Sequence, residues 1–340
     1  MPSLDRQLAG LALSSLALSL GLILFGSDYT RPGPPPQSPP TAALPLKIET
    51  PEKFRRLPEQ TFLTFPEWFL VFSPREYAVY VKEKTPTEFP FLGHLAQFWG
   101  GYAQATRHTQ DYPFNFDYHL MNFIIGTSTT AEFLVKAGYE ATVGRTSALL
   151  AGGRLTDEDR FSARMSDDYS RLLDTKAWYD YPYFEELQAL WTQVPWFGAG
   201  LLRKWERRYF LTTEYAFKGV YAHLMLQAAR ASYTPEIPTT AVIDSTGKMH
   251  SLPRYQAFQA GAAELARAGV QFREVAGNHQ DIMICYQLPV DQAEPPAGTT
   301  LLFRQPILTD PGKIRLVVKA PVTKLHQVLL QTHPEHVFDY

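Results

Sequence analysis

Two ten-residue stretches of the chain share one spacing of charged and aromatic residues. Thr130–Tyr139 and Thr212–Tyr221 both follow the pattern T-x-E-aromatic-x-apolar-K-small-x-Y. On a helix, a Glu and a Lys four positions apart lie on one face, and a Tyr three positions further on extends that face by one turn. If the two helices pack together, six side chains converge on one polar pocket: Glu132, Lys136, Tyr139, Glu214, Lys218 and Tyr221.

A pocket of this composition has two possible uses. Two lysines could bind a lipid head group or another small anionic ligand, and paired carboxylates could transfer protons. The same pattern also has a purely structural interpretation, because a Glu followed by a Lys four positions later stabilises an exposed helix by about 0.2–0.5 kcal/mol. The sequence leaves both interpretations open.

Other chemistry-bearing residues lack a defining arrangement. His108 and His119 flank an aromatic turn that contains Asp111 and Asp117. Their spacing matches neither the zinc-peptidase motif nor the paired E-x-x-H motif of di-iron helical bundles. We therefore interpret them as histidines that are hydrogen-bonded within a turn and not as metal ligands. The chain also has no G-x-S-x-G, P-loop or G-x-G-x-x-G motif. We therefore predict no catalytic residue, no metal and no cofactor.

Composition restricts the classes of partner. A net charge of −2 with a pI near 6.5 gives no electrostatic basis for nucleic-acid binding. The single cysteine, Cys285, excludes an intramolecular disulfide and a cysteine-rich zinc site. It lies in an apolar, strand-like run and is expected to be buried.

An apolar run without Asp, Glu, Lys or Arg extends from Leu8 to Phe25. As a helix it would be about 27 Å long, which is enough to cross the hydrocarbon core of a bilayer. A cleaved signal peptide is the alternative, but the bulky Leu22–Phe25 provides no small-x-small cleavage site. We therefore predict a retained, single-pass signal-anchor within residues 1–27. The short N-terminal tail favours an extracytoplasmic domain, periplasmic if the protein is bacterial.

The rest of the chain divides by composition into three segments. Residues 28–57 contain the proline-rich stretch Arg31–Pro40 and are predicted to be an extended linker. Residues 58–234 carry helical patterns, including a strong helix start at Thr156 followed by acidic residues. Residues 235–340 change to alternating apolar runs. The sequence thus predicts an α-helical domain followed by a domain with strands.

The strands and helices predicted after residue 234 follow the order β-α-β-β-β-β-α-β. Asp310-Pro311-Gly312 separates two of the runs and predicts a hairpin between them. This order suggests a C-terminal ferredoxin-like α/β plait with an extra hairpin, and hence an α+β chain overall. That fold serves many functions, so it does not predict an activity.

Two functions remain open. The favoured one is a membrane-anchored, non-enzymatic accessory or scaffold protein that contacts a membrane-bound protein partner through its helical domain. The alternative is a ligand-binding protein or enzyme whose polar pocket lies between the two E-x-x-x-K-x-x-Y helices. The two differ in whether the charged side chains of the paired motif face a shared cavity.

Overall fold

The computed structural model describes residues 31–32, 50–57, 59–232 and 239–339, which form an α+β protein with two antiparallel sheets. The α-helices are α1 (Gln60–Leu63), α2 (Phe65–Val81), α3 (Phe91–Arg107), α4 (Phe116–Tyr139), α5 (Arg145–Leu150), α6 (Asp157–Leu172), α7 (Tyr183–Gln193), α8 (Leu201–Ser232), α9 (Gln256–Arg267) and α10 (Leu325–Gln331). The strands are β1 (Arg31–Pro32), β2 (Thr239–Asp244), β3 (Met249–Pro253), β4 (Phe272–Val275), β5 (Asp281–Pro289), β6 (Thr300–Pro306), β7 (Lys313–Pro321) and β8 (His336–Val337).

The predicted anchor, Leu8–Phe25, lies outside the described residues, as does most of the predicted linker. Within the described part, no helix combines the length and the hydrophobicity that crossing a bilayer requires.

The chain forms two compact units. The first comprises the described residues of Met1–Phe69, Gly93–Ala131 and Ile237–Tyr340, and the second those of Leu70–Leu92 and Glu132–Glu236. This division differs from a simple split at residue 234, because most of α3 and the first part of α4 fall in the unit that contains the sheets.

The strands of the first unit form two sheets, with strand orders β1-β6-β7-β5-β8 and β3-β2-β4. Every described pairing is antiparallel. The predicted hairpin is present, since β6 pairs with β7 and Lys313 N donates to Asp310 O at 2.9 Å across the turn. A ferredoxin-like plait is a single sheet, so the plait prediction is corrected to two sheets.

A turn between β4 and β5 separates the sheets. Ala276 and Gly277 both have positive φ, 51° and 87°, which ends the extended conformation immediately after Val275. The chain then turns and starts β5 in a different sheet, where β5 pairs with β7 over its whole length. The sequence Gly277–Asp281 predicts a tight hairpin turn at this place, but not the change of sheet, because Ala276 is not a residue that favours positive φ.

The core of the first unit includes side chains from both sheets and from α9 and α10. It contains Val242, Phe258, Ile284, Leu316 and Leu325, all at most 1% exposed. Cys285 is buried within β5, as expected.

The second unit contains most of α2, the C-terminal part of α4, and α5 to α8. Helix α6 begins with the predicted cap: Thr156 N donates to Asp159 Oδ2 at 3.0 Å, and Asp159 N donates back to Thr156 Oγ1 at 3.3 Å. Its core includes three buried tyrosines, Tyr181, Tyr183 and Tyr215, together with aliphatic side chains such as Leu190 and Leu211. Between α4 and α5 the backbone forms a π-helical segment, Glu140–Gly144, so that one long helix continues with an irregular turn in its middle.

Candidate functional site: buried charges between two antiparallel helices

The two copies of the sequence motif lie side by side on α4 and α8 in the second unit. Lys136 Nζ contacts Glu132 Oε1 on its own helix at 2.9 Å and Glu214 Oε1 on α8 at 2.7 Å. Lys218 Nζ contacts Glu214 Oε1 at 2.9 Å and Glu132 Oε1 at 2.8 Å. Residue 132 therefore faces residue 218 and residue 136 faces residue 214, so the helices run antiparallel here. We call these four residues the four-charge ring.

The ring is partly shielded from solvent. The side chains of Lys136, Glu214 and Lys218 are 14%, 15% and 22% exposed, while that of Glu132 is 37% exposed. Tyrosine rings lie next to both lysines, with Lys136 Nζ 5.9 Å from the centroid of Tyr77 and Lys218 Nζ 5.8 Å from that of Tyr169. Glu132 is therefore the member of the ring that water reaches most easily.

Charge pairing outweighs burial at each member of the ring. Burial raises the pKa of Glu214, but Lys136 and Lys218 lower it more, to about 2. The pKa of Glu132 lies below its usual value because the same two lysines overcome the effect of burial. Burial lowers the pKa of Lys218, and Glu132 with Glu214 raises it well above its usual value. All four groups are thus charged at neutral pH, and the two positive and two negative charges cancel.

The two tyrosines of the motif lie apart from the ring. Tyr139 packs on Phe210, with ring centroids 4.4 Å apart, and its pKa is raised first by burial and then by Glu206, to which it is hydrogen-bonded. Tyr221 stacks on Trp178 at 5.3 Å with an angle of 20° between the rings. The structure therefore brings together four of the six predicted site residues, Glu132, Lys136, Glu214 and Lys218.

A second charge cluster, which sequence reasoning missed, lies further along the same pair of helices. Its cations, Arg203, Lys204, Arg207 and Arg208, come from one segment at the start of α8 and are all buried. We call Arg203–Arg208 the basic segment. Acidic side chains from α6, α8 and the π-helical segment surround it: Glu140, Asp157, Glu158, Asp159 and Glu206.

Each cation of the basic segment has its own carboxylate. Arg203 Nη2 donates to Asp159 Oδ1 at 2.8 Å, and Lys204 Nζ contacts Asp157 Oδ2 at 2.7 Å. Arg208 Nη2 donates to Glu158 Oε1 at 2.6 Å. The acidic residues at the start of α6 thus act as counter-ions for α8, in addition to the capping role that their position predicts.

Arg207 pairs with the π-helical segment. Its Nη1 donates to Glu140 Oε1 at 2.5 Å, and both side chains are buried. Burial raises the pKa of Glu140, and Arg207 opposes that rise without cancelling it. Gly144, one turn later, allows this arrangement, because a Cβ at that position would collide with Glu140 Oε2. The extra residue of the π-turn places Glu140, Gly144 and Ser147 on the side that faces α8, where Ser147 Oγ accepts from Arg203 Nη1 at 3.0 Å.

The outer side of α8 has the opposite character. Between Leu201 and Gln227, where side chains are described, no exposed residue is Asp, Glu, Lys or Arg. One row with a spacing of three or four residues follows this side, and we call it the α8 outer face: Leu202, Trp205, Tyr209, Thr213, Phe217, Val220 and Leu224. Tyr209 and Phe217 are 68% and 74% exposed. A soluble amphipathic helix has its charges outside and its apolar residues inside, so α8 reverses the usual pattern.

The other candidate residues take structural positions in the first unit. His119 Nδ1 hydrogen-bonds the Tyr102 hydroxyl at 2.9 Å, and its ring stacks on Phe114. The pKa of His108 is lowered to about 4, first by burial and then by Lys319. Among the described residues, no group of three or more His, Cys, Asp or Glu is placed to hold a metal ion.

Comparison with protein-family models, with curated proteins and with solved structures finds no match to this chain.

Proposed function

We propose that this chain is a membrane-anchored, non-enzymatic accessory or scaffold protein whose helical unit works against a membrane-bound partner. Leu8–Phe25 supplies the anchor, and the proline-rich linker holds the folded part beside the membrane, on its extracytoplasmic side. In this proposal the charged residues between α4–α5 and α8 fix the geometry of the helical unit, and the exposed surface of that unit contacts the partner.

The observation that supports the proposal most is the distribution of charge on α8. Its seven charged residues from Leu201 to Gln227 are turned inward and paired, while its outer row is apolar and aromatic. Contiguous exposed apolar surface in a folded protein marks an interaction with another protein or with a membrane. Buried ion pairs are weak contributors to stability, but losing one partner is costly, so they hold the two helices in one register.

The alternative function, a ligand-binding protein or enzyme with a polar pocket, requires cations that are available to a ligand. Each lysine of the four-charge ring already contacts two carboxylates within 3 Å. Two described surface pockets are lined by other residues, one around Tyr80, Lys84 and Arg145 and one around Thr109, Tyr112 and Phe114. The ring thus resembles a self-neutralised structural network more than an open binding site.

The proposal is tested by cross-linking the tagged full chain in its own membranes, followed by purification in mild detergent and identification of what is attached. We expect at least one membrane protein in fixed proportion to the chain. A chain that purifies alone from cross-linked membranes would contradict the proposal. A small anion that is retained by the wild type and lost in the Lys136→Met and Lys218→Met variants would support the ligand-binding alternative instead.

A further inference from the structure

The α8 outer face is long, uncharged and poor in hydrogen-bonding groups. From Leu202 to Leu224 it extends over about 33 Å at 1.5 Å per residue. Its polar atoms are those of Trp205, Tyr209 and Thr213, and the hydroxyl of Thr213 already donates to the carbonyl of Tyr209 at 3.0 Å. Interfaces between proteins carry about one hydrogen bond per 100–200 Å². This face offers few donors or acceptors for such bonds, which favours a partner that needs none.

The helix opposite α8 has an exposed row of the same kind. Exposed residues follow one another at three- or four-residue spacing along the end of α4, the π-helical segment and α5: Val135, Gly138, Thr142, Thr146 and Leu149. Within Glu132–Leu150, all of it described, Arg145 is the single charged residue that is exposed. The second unit therefore exposes uncharged rows on both helices that enclose its buried charges.

Large aromatic side chains gather beside the start of α8. Trp196 and Phe197 precede the helix and are exposed, and Trp196 packs edge-to-face against Trp205 at a centroid distance of 5.3 Å. Tryptophan is enriched where a protein meets the boundary between lipid head groups and acyl chains, because its ring is apolar and its N–H is polar.

Helix α6 of the same unit carries charged residues on its exposed side. Exposed arginines lie on α6, where Arg160 and Arg171 have side chains that are each 67% exposed. A unit that is charged on one side and apolar on another cannot be surrounded by hydrocarbon, but it can lie on a membrane with the apolar side down.

We infer that the α8 outer face lies in the plane of a lipid bilayer, with its side chains among the upper parts of the acyl chains. The inference rests on the membrane association proposed above and specifies hydrocarbon as the partner of this face. The sequence favours lipid as the partner, because Leu8–Phe25 is predicted to cross a bilayer and would hold the folded part close to that bilayer. Charged side chains in membrane-embedded segments usually face the protein interior and pair with one another, as those of α8 do.

The test measures depth in lipid with the full chain reconstituted in phosphatidylcholine vesicles. An environment-sensitive fluorophore is attached to a cysteine introduced as Phe217→Cys or Leu224→Cys, with Arg160→Cys on α6 as the matched control. The native Cys285 is fully buried, and burial raises the pKa of its thiol, so it does not compete for the label in the folded protein. Far-UV circular dichroism confirms that each variant is folded.

We expect lipids that carry a nitroxide near the top of the acyl chain to quench the label at positions 217 and 224 several-fold more than at 160. The two outer-face positions should be quenched to a similar extent, because the helix lies flat. Quenching at 217 and 224 no stronger than at 160 would overturn the inference. Self-quenching that depends on the protein-to-lipid ratio, with no effect of the nitroxide, would also overturn the inference. It would show that the α8 outer face binds a second copy of the chain. Either negative result leaves the proposed function standing if a membrane protein still cross-links to the chain.

Discussion

Exchanging the charges of the four-charge ring on one helix only should destabilise the second unit strongly. The double variant Glu132→Lys/Lys136→Glu keeps the composition, the net charge and the pair within α4. Across the helices, however, it replaces the Lys136–Glu214 and Lys218–Glu132 contacts, at 2.7 and 2.8 Å, by two contacts between like charges. The effect therefore reports the cross-helix geometry and not helix propensity.

The size of the effect follows from distance and solvent access. Two unit charges 4 Å apart interact by about 4 kcal/mol at an effective dielectric constant near 20. Because Glu132 and Lys218 retain partial solvent access and the side chains can move apart, we expect a loss of about 3–4 kcal/mol in the free energy of unfolding. If the four residues were independent surface pairs, the loss would stay below about 1 kcal/mol.

The compensating variant provides the control. Adding Glu214→Lys/Lys218→Glu reverses all four charges and restores every attractive contact, so the quadruple variant should recover to within about 1 kcal/mol of the wild type. Urea unfolding of the full chain in mild detergent, followed by circular dichroism, measures the three proteins under one condition. A double variant as stable as the wild type, or a quadruple variant as unstable as the double, would refute the ring.

Three further predictions concern the same helices. Arg207→Met should cost about 3–5 kcal/mol in urea unfolding because it leaves the buried Glu140 carboxylate without its counter-ion, whereas Arg171→Met on the surface should cost less than about 0.5 kcal/mol. In thermal melts Gly144→Ala should destabilise by about 1–3 kcal/mol, since its Cβ meets the carboxylate that Arg207 holds, while Gly138→Ala, with nothing within 4 Å of the new Cβ, should be neutral or slightly stabilising. Glu214 has a lower pKa when folded than when unfolded, so its stabilising effect is present above pH 4.5 and disappears as the pH falls towards 2. The Glu214→Gln variant should therefore melt at a lower temperature than the wild type at pH 7, and the difference in melting temperature should vanish between pH 4.5 and 2.

Much of the fold could be predicted from local patterns. Three predictions that depend only on neighbouring residues are confirmed. They are the helix cap at Thr156, the turn at Asp310-Pro311-Gly312 and the strands predicted from the apolar runs of β5 and β7. The two-sheet arrangement could not be predicted in this way. It depends on positive φ at Ala276, which the surrounding structure imposes, and on the pairing of β8 with β5 across some fifty residues.

The candidate site shows the same limit. The motif repeat pointed to Glu132, Lys136, Glu214 and Lys218, because identical spacing on two helices allows the side chains to meet. Tyr139 and Tyr221 do not join them, because in an antiparallel pair each Tyr lies one helical turn beyond its Lys, at opposite ends of the ring, where it contacts Phe210 or Trp178 instead. The basic segment was missed because a run of charges on a helix usually faces water. Its signal was the combination of that run with the three acidic residues at the start of α6, Asp157, Glu158 and Asp159.

The buried charges of α8 also impose an order on the folding of the second unit. Glu140 and the acidic residues at the start of α6 leave the ribosome 44 to 67 residues before the arginines that neutralise them. Until α8 has been synthesised, these carboxylates cannot be buried without an unpaired charge, so the helices before it have no stable way to close on one another. The unit is thus expected to stay open during synthesis and to close late and cooperatively around one helix, at the moment when the apolar outer row of that helix also first emerges.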